Sequence, residues 1–213
     1  MGILNAAQVE PAFVAFEGGE GCGKSTQAAM LGEALRAAGC DVLLTREPGG
    51  TFGAEAIRTL LLDPPDGDWN LRAEALLFAA ARSDHVERAI RPALTSGAWV
   101  ICDRFVGSSL AYQGIAGGID TDNIAWLHEF GSAGLLPDIT FLIETSEATA
   151  RARRAERGHP SDAIEQRDAE FHRRVRTGFR SVADAALSRW VTLDGEQPAS
   201  QLHDDVLAHL GLS

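Results

Sequence analysis

The sequence predicts a three-layer α/β fold, a five-stranded parallel sheet flanked by helices, with residues 1–213 expected to form one domain. Three observations predict it. Apolar runs of strand length recur five times with longer, helix-compatible segments between them, the alternation that yields parallel strands joined by crossover helices. Those runs are apolar almost continuously rather than at every second position, as in strands covered on both faces. Finally, a glycine-rich turn directly follows the first run and opens a helical segment, so it joins strand to helix.

The first run is Ala12 to Phe16. Next comes Gly18-Gly19-Glu20-Gly21-Cys22-Gly23-Lys24-Ser25, which satisfies G-x-x-x-x-G-K-[ST] at every required position. Glycines let successive backbone N–H groups point at phosphate oxygens, and the following helix contributes the positive end of its dipole. Lys24 is placed to bridge β- and γ-phosphates and Ser25 to ligate Mg²⁺. With Thr26, these residues form the expected ATP-binding cradle of a P-loop fold. Ser25 to Ala38 reads as a helix with Ala28, Leu31, Ala34 and Leu35 on one face, ending near Gly39. The motif implies ATP or GTP binding and leaves open a kinase, a GTPase, an ATP-driven machine or a nucleotide sensor.

The second run, Val42 to Thr45, leads into Thr45-Arg46-Glu47-Pro48-Gly49-Gly50-Thr51, where the Glu47–Pro48 bond is a candidate for cis. Asp63 to Asp68 is turn-rich but too short to separate domains. A helix is predicted from about Leu71 to Ser96, carrying Leu77-Phe78-Ala79-Ala80-Ala81-Arg82. The third run, Trp99 to Cys102, ends at Asp103-Arg104-Phe105, and Ala111-Tyr112-Gln113-Gly114 follows. At the carboxyl edge of a parallel sheet, Asp103 is placed to hold Mg²⁺ or its waters. Arg46 and Arg104 would meet there, offering two forked guanidinium groups to one phosphate monoester; the plainer reading of each is a surface ion pair. The fourth and fifth runs are Ile139 to Ile143 and Trp190 to Leu193, and Pro198 to Leu210 reads as an amphipathic capping helix.

The strings from Thr45 to Thr51, Leu77 to Arg82, Asp103 to Phe105 and Ala111 to Gly114 together resemble bacterial thymidylate kinase, from the phosphate loop through Arg151 to Glu165. The resemblance implies Mg²⁺-dependent phosphoryl transfer from ATP to dTMP, giving ADP and dTDP, by a homodimer. It implies that Arg46 and Arg104 grip the acceptor phosphate, and that Phe78 stacks on thymine while Arg82, one turn later, reaches a base carbonyl. Tyr112 would lie against the sugar, disfavouring a 2′-hydroxyl, with Ser109 and Gln113 near the base edge and Glu20 accepting from the 3′-hydroxyl. The blander readings put Phe78 in the core with Leu76 and Leu77 and Glu20 in solvent. Glu47 would either assist Mg²⁺ or pair with Arg46.

Phosphoryl transfer needs positive charge on the moving group, and this phosphate loop contains no arginine. Arg151, Arg153, Arg154 and Arg157 precede the helix-breaking Gly158-His159-Pro160, which suggests a mobile lid at about residues 148–162. A solvated helix face is the plainer alternative. Arg153 and Arg157 share an i+4 face and, with Lys24 and Arg104, are the expected catalytic set. The family follows its lid with Asp-Arg-hydrophobic-Glu, whereas Asp162-Ala163-Ile164-Glu165 lacks the arginine.

Net charge of -11 argues against a nucleic-acid partner. Cys22, Cys40 and Cys102 lack metal spacing and fit a reducing cytoplasm, the six histidines form no ligand-spaced set, and no run approaches a membrane span. Met1 to Ala12 reads as a frayed tail, and Ala6 stands where a myristoylation signal needs Ser or Thr. Two rivals remain: a kinase for another nucleoside monophosphate or a deoxynucleoside, separated by acceptor profile, and a nucleotide-gated regulator, separated by the absence of monophosphate-dependent ADP release.

Overall fold

The computed structural model describes residues 10–65, 67–158, 162–186 and 189–212. Expectations that touch residues 1–9, Asp66 and the His159-Pro160 part of the lid lie outside the described residues, as does the side chain of Arg157. Strands β1 (Phe13–Glu17), β2 (Val42–Arg46), β3 (Trp99–Asp103), β4 (Ile139–Glu144) and β5 (Arg189–Asp194) form one sheet in the order β2-β3-β1-β4-β5. Every pairing is parallel. All five predicted runs are strands; each extends one residue further toward the carboxyl edge, β1 starts at Phe13 rather than Ala12, and β5 starts at Arg189 rather than Trp190.

Continuous hydrophobicity has the expected cause. Val14 and Phe16 of β1 bury on one face of the sheet with Phe141 and Ile143, against Leu31 and Leu35 of α1 (Lys24–Ala37) and Leu202 and Val206 of α9 (Ala199–Leu210). Their neighbours Phe13 and Ala15 bury on the other face with Val100, Cys102, Val86, Ile90 and Phe105. Successive side chains alternate faces, so a strand clothed on both sides has no polar position to spare. A third cluster joins Leu142 and Tyr112 to Phe171, Val175 and Phe179 of α8 (Ala169–Ala185).

Helix α2 (Phe52–Leu62) starts on Thr51, whose Oγ1 accepts from Ala54 N at 3.1 Å. The single helix expected from Leu71 to Ser96 is α3 (Leu71–His85), a π-helical stretch at Val86–Ile90, and α4 (Arg91–Thr95). Pro92 has no N–H to give the carbonyl of Arg88, so the ladder is interrupted where the turn widens, and Val86 and Ile90 still reach the core. After β3, short α5 (Val106–Ser109) runs into a second π-helical stretch, Leu110–Ala116. Helices α6 (Thr121–Ser132) and α7 (Glu147–Arg157) complete the set, α7 being capped by Ser146, which accepts from Thr149 N. No helix among the described residues is long and apolar enough to cross a membrane.

The register positions the site. Arg46 of β2 and Phe16 of β1 both pair with Asp103, so the ends of β2, β3 and β1 lie side by side at the edge where α1 begins.

Candidate functional site

A cavity of about 560 Å³ opens at this edge. The phosphate loop forms one wall. Gly18, Gly21 and Gly23 have φ of 135°, 79° and 108°, and a side chain on Gly21 would run into the carbonyl of Ala150 on α7. Lys24, the first residue of α1, is buried, and its Nζ turns back to donate to Gly19 O at 2.7 Å, with Cys22 Sγ at 3.6 Å. Ser25 donates to Asp103 Oδ2, while Asp103 Oδ1 is buried and has no partner among the described residues.

Arg104 follows directly, at φ 73°, outside the range of a strand or a right-handed helix. Its guanidinium donates to Gly18 O and Ser108 Oγ, each at 3.0 Å, is ion-paired with Glu20, and lies 5.3 Å from the Tyr112 ring centre. Burial alone would depress the Arg104 pKa, but Glu20 first, then Tyr112, Asp103 and Glu17, hold it well above its ordinary value. The loop after β3 is pinned by fully buried Glu17, which accepts from Phe105 N and Ser108 N at 2.9 Å and from Ser108 Oγ at 2.6 Å. Burial raises the Glu17 pKa even so.

The opposite wall comes from the turn after β2 and from α2. Arg46 pairs with Glu55 at 3.2 Å and stays half-exposed. Beside it, Arg58 donates to Pro48 O at 2.7 Å, and its pKa is lowered by burial and by Arg46. The Glu47–Pro48 bond is cis. Glu47 does not pair with Arg46: its oxygens accept from Arg82 Nε at 2.7 Å and meet His85 Nδ1 at 3.2 Å. Arg46 is thus held by Glu55 of α2, while Glu47, which also lines the cavity, is engaged by Arg82 and His85 of α3.

Of the expected site residues, Glu20, Gly21, Gly23, Lys24, Ser25, Thr26, Arg46, Phe78, Asp103, Arg104, Ser109, Tyr112, Gln113 and Arg153 line this one cavity. Phe78 is half-buried on its wall, and Leu76, its supposed core neighbour, is 57% exposed. Arg82 is different. Its guanidinium is buried behind the wall, donating to Glu47, Ser109 Oγ at 2.9 Å and Phe105 O at 3.3 Å, because those acceptors surround it before any ligand arrives. Gly18 and Gly19 line a smaller cavity on the far side of the loop. Arg153 donates to Cys22 O at 3.3 Å and Gly195 O at 2.9 Å, whereas Arg154, set aside by the i+4 argument, donates to Glu20 O at 3.2 Å from the small-cavity side. Arg151 pairs with Glu147 on the exposed face of α7. Asp162 caps the turn that follows, accepting at Oδ1 from Ile164 N and Glu165 N at 2.9 Å, and all three residues line the main cavity.

Arg58, Glu17 and Glu74 belong to or support this site and carry no motif. Only the position of Arg58 one helical turn before Leu62, on the cavity face of α2, could have flagged it. The donor set at the Ser25–Asp103 corner, a hydroxyl and a carboxylate with a spare buried oxygen, suits a hard cation such as Mg²⁺. Among the described residues no group of three or more His, Cys, Asp or Glu could hold a metal ion by itself, and the cysteines are free.

The family model described as "Thymidylate kinase" matches residues 16–206. The thymidylate kinase of Rhizorhabdus wittichii is 55% identical over 185 residues, 86% of this chain and 89% of that protein. That of Pelotomaculum thermopropionicum is 44% identical over 195 residues, covering 92% and 90%. Among solved structures, the crystal structure of thymidylate kinase from Ehrlichia chaffeensis superposes with a TM-score of 0.77 at 34% identity, covering 95% of this chain and 99% of that one.

Proposed function

The chain belongs to the thymidylate kinase family, and from that premise we propose how the cavity at its carboxyl edge carries out the family's reaction, phosphoryl transfer from ATP to dTMP. The reading rests on the neighbours Asp103 and Arg104. Asp103 bonds to Ser25 of the phosphate loop, and Arg104 reaches Glu20, Ser108 and the Tyr112 ring. Two anion seats therefore share one wall.

In the donor seat, loop amides and Lys24 take the ATP phosphates, a phosphate oxygen replacing Gly19 O and Cys22 Sγ around Nζ. Ser25 and Asp103 would hold Mg²⁺, which would draw off negative charge from the phosphates. In the acceptor seat, Arg104, Arg46 and Arg58 hold the dTMP phosphate. Phe78 offers its ring to the base, Ser109 and Gln113 lie at the far end, and Arg82 acts on Ser109 from behind. An ionised phosphate oxygen of dTMP attacks the γ-phosphorus and the bond to ADP breaks, so no general base is needed. Catalysis is alignment plus charge stabilisation. Arg153, now on the Cys22 carbonyl, is the lid arginine that lines the main cavity among the described residues; with Arg157 it would meet the moving phosphoryl as residues 148–162 close and exclude water.

The protein works in this reading as one kinase domain in the reducing cytoplasm, which its free cysteines suit, and as a homodimer. Phe52 on α2, Leu76 on α3, and Trp126 and Phe130 on α6 are exposed, α3 packs against both α2 and α6, and the two α6 rings stack at 5.6 Å. A second copy seated on that face would cover them.

ADP release with dTMP, dUMP, dCMP, dGMP or thymidine as acceptor tests the reaction. dTMP is expected to be turned over best, with activity lost on chelation and restored by Mg²⁺. A protein that holds or hydrolyses ATP but ignores every monophosphate refutes it. Phe130→Glu is expected to convert a sedimenting dimer to monomer; a monomeric unaltered protein at micromolar concentration refutes the assembly.

A further inference from the structure

At the base end of the cavity, Gln113 and Glu74 are almost fully buried, 1% and 3% exposed. Gln113 Nε2 donates to Glu74 Oε1 at 2.7 Å. The other oxygen, Glu74 Oε2, is ion-paired with Arg167, whose guanidinium lies 4.6 Å from the Phe171 ring centre. Glu74 also precedes Phe78 by one turn of α3, so the stacking ring and this carboxylate share a helix face.

An amide has a donating end and an accepting end, held in opposition, while an ion-paired carboxylate only accepts. Reversing Gln113 would set oxygen against oxygen in a buried site, so its orientation follows from chemistry and not from the assignment of O and N in the side chain. With the amine end on Glu74, the end left for a ligand in the cavity is the carbonyl. Thymine and uracil carry hydrogen on N3 and can donate to it; the N3 of cytosine is a bare lone pair.

We infer that Glu74 is a specificity-determining positioning residue: it holds the Gln113 amide one way round, so that the base end of the cavity accepts a hydrogen bond and favours pyrimidines protonated at N3 over cytosine. The inference rests on dTMP being the acceptor. Arg167 keeps the carboxylate neutralised by an ion pair, so Gln113 meets an acceptor and not a buried lone charge. Uracil presents the same edge as thymine, so this device does not separate dTMP from dUMP.

The test is the ratio of kcat/KM for dTMP to that for dCMP. Glu74→Gln keeps size and polarity but can donate as well as accept, which lets Gln113 turn. The ratio is expected to fall about tenfold or more, with KM for ATP unchanged. Gln113→Ala is expected to lower the ratio by itself, and adding Glu74→Gln to it should then change nothing further. A Glu74 that merely supports the fold would lower both acceptors equally; an unchanged ratio, or a further fall in the Gln113→Ala background, overturns the proposal. Should Glu74→Gln not fold, the side-chain amide of Gln113 in the unaltered enzyme decides by nitrogen-15 NMR. Its protons should exchange slowly already in the absence of dTMP and remain slow when it is added, and fast exchange in the free enzyme overturns the proposal. An unaltered enzyme without preference for dTMP over dCMP would instead bring down the base assignment itself.

Discussion

Arg104 is held in a left-handed conformation that a residue with a side chain adopts at a cost of about 1–3 kcal/mol. Its bonds to Gly18 O, Ser108 and Glu20 offset that cost. Arg104→Ala is expected to lower kcat/KM for dTMP about 10²-fold, the scale of losing charged hydrogen bonds to one phosphate, while KM for ATP moves less than about threefold. Steady-state kinetics with each substrate varied checks this, and an equal loss for both counts against it. Arg104→Gly should lose activity similarly but melt above Arg104→Ala, because glycine carries no penalty at φ 73°. Asp103 and Arg104 were legible because they end an apolar run. The pairing of Glu47 with Arg46 fails and Arg58 was missed because their partners are decided by the fold: Arg82 is 35 positions from Glu47, and nothing local announces the pairing.

Strands were readable where an apolar run is unbroken, as in β1, and helices where one period dominates, as in α1. The π-helical stretches were not, because they keep buried residues within a helical pattern and differ only in their hydrogen bonding. Helix α6 lies in a helix-compatible segment between the third and fourth apolar runs, and its internal chemistry was not legible in the sequence. Its His128 has Nε2 2.8 Å from Leu135 O, so that nitrogen carries the hydrogen, and Nδ1 is buried without a partner among the described residues. The ring sits edge-on to Phe105. Burial, with Arg82 second, pushes its pKa down from 6.5 to about 4. A pKa below the unfolded value means the unfolded chain binds the proton more readily. The stability is therefore complete above about pH 6.5 and is lost as pH falls toward 4, on the order of 2 kcal/mol. Melting curves across this window should flatten in His128→Gln; an unaltered slope would exclude His128 as the titrating group.

At the scale of the molecule, the fold rests on clusters that clothe both faces of one sheet. Phe141 is fully buried in the fourth strand and stacks on Phe16 at 5.4 Å. Phe141→Ala is expected to remove about 3–5 kcal/mol, seen as a melting temperature lower by roughly 10 °C, with little change in KM for either substrate in the folded fraction. A shift of under about 2 °C would mean the core closes around the gap. Because β3 is hydrogen-bonded on both sides, to β2 and to β1, its end is among the stiffest places in the chain. The anchors proposed for the two substrates, Asp103 and Arg104, stand there on consecutive residues, so in that reading a single peptide link sets how far apart giver and receiver are held. Breathing of the surrounding loops then alters how well the chamber is sealed, whereas a one-residue slip of that strand would mis-space both partners together.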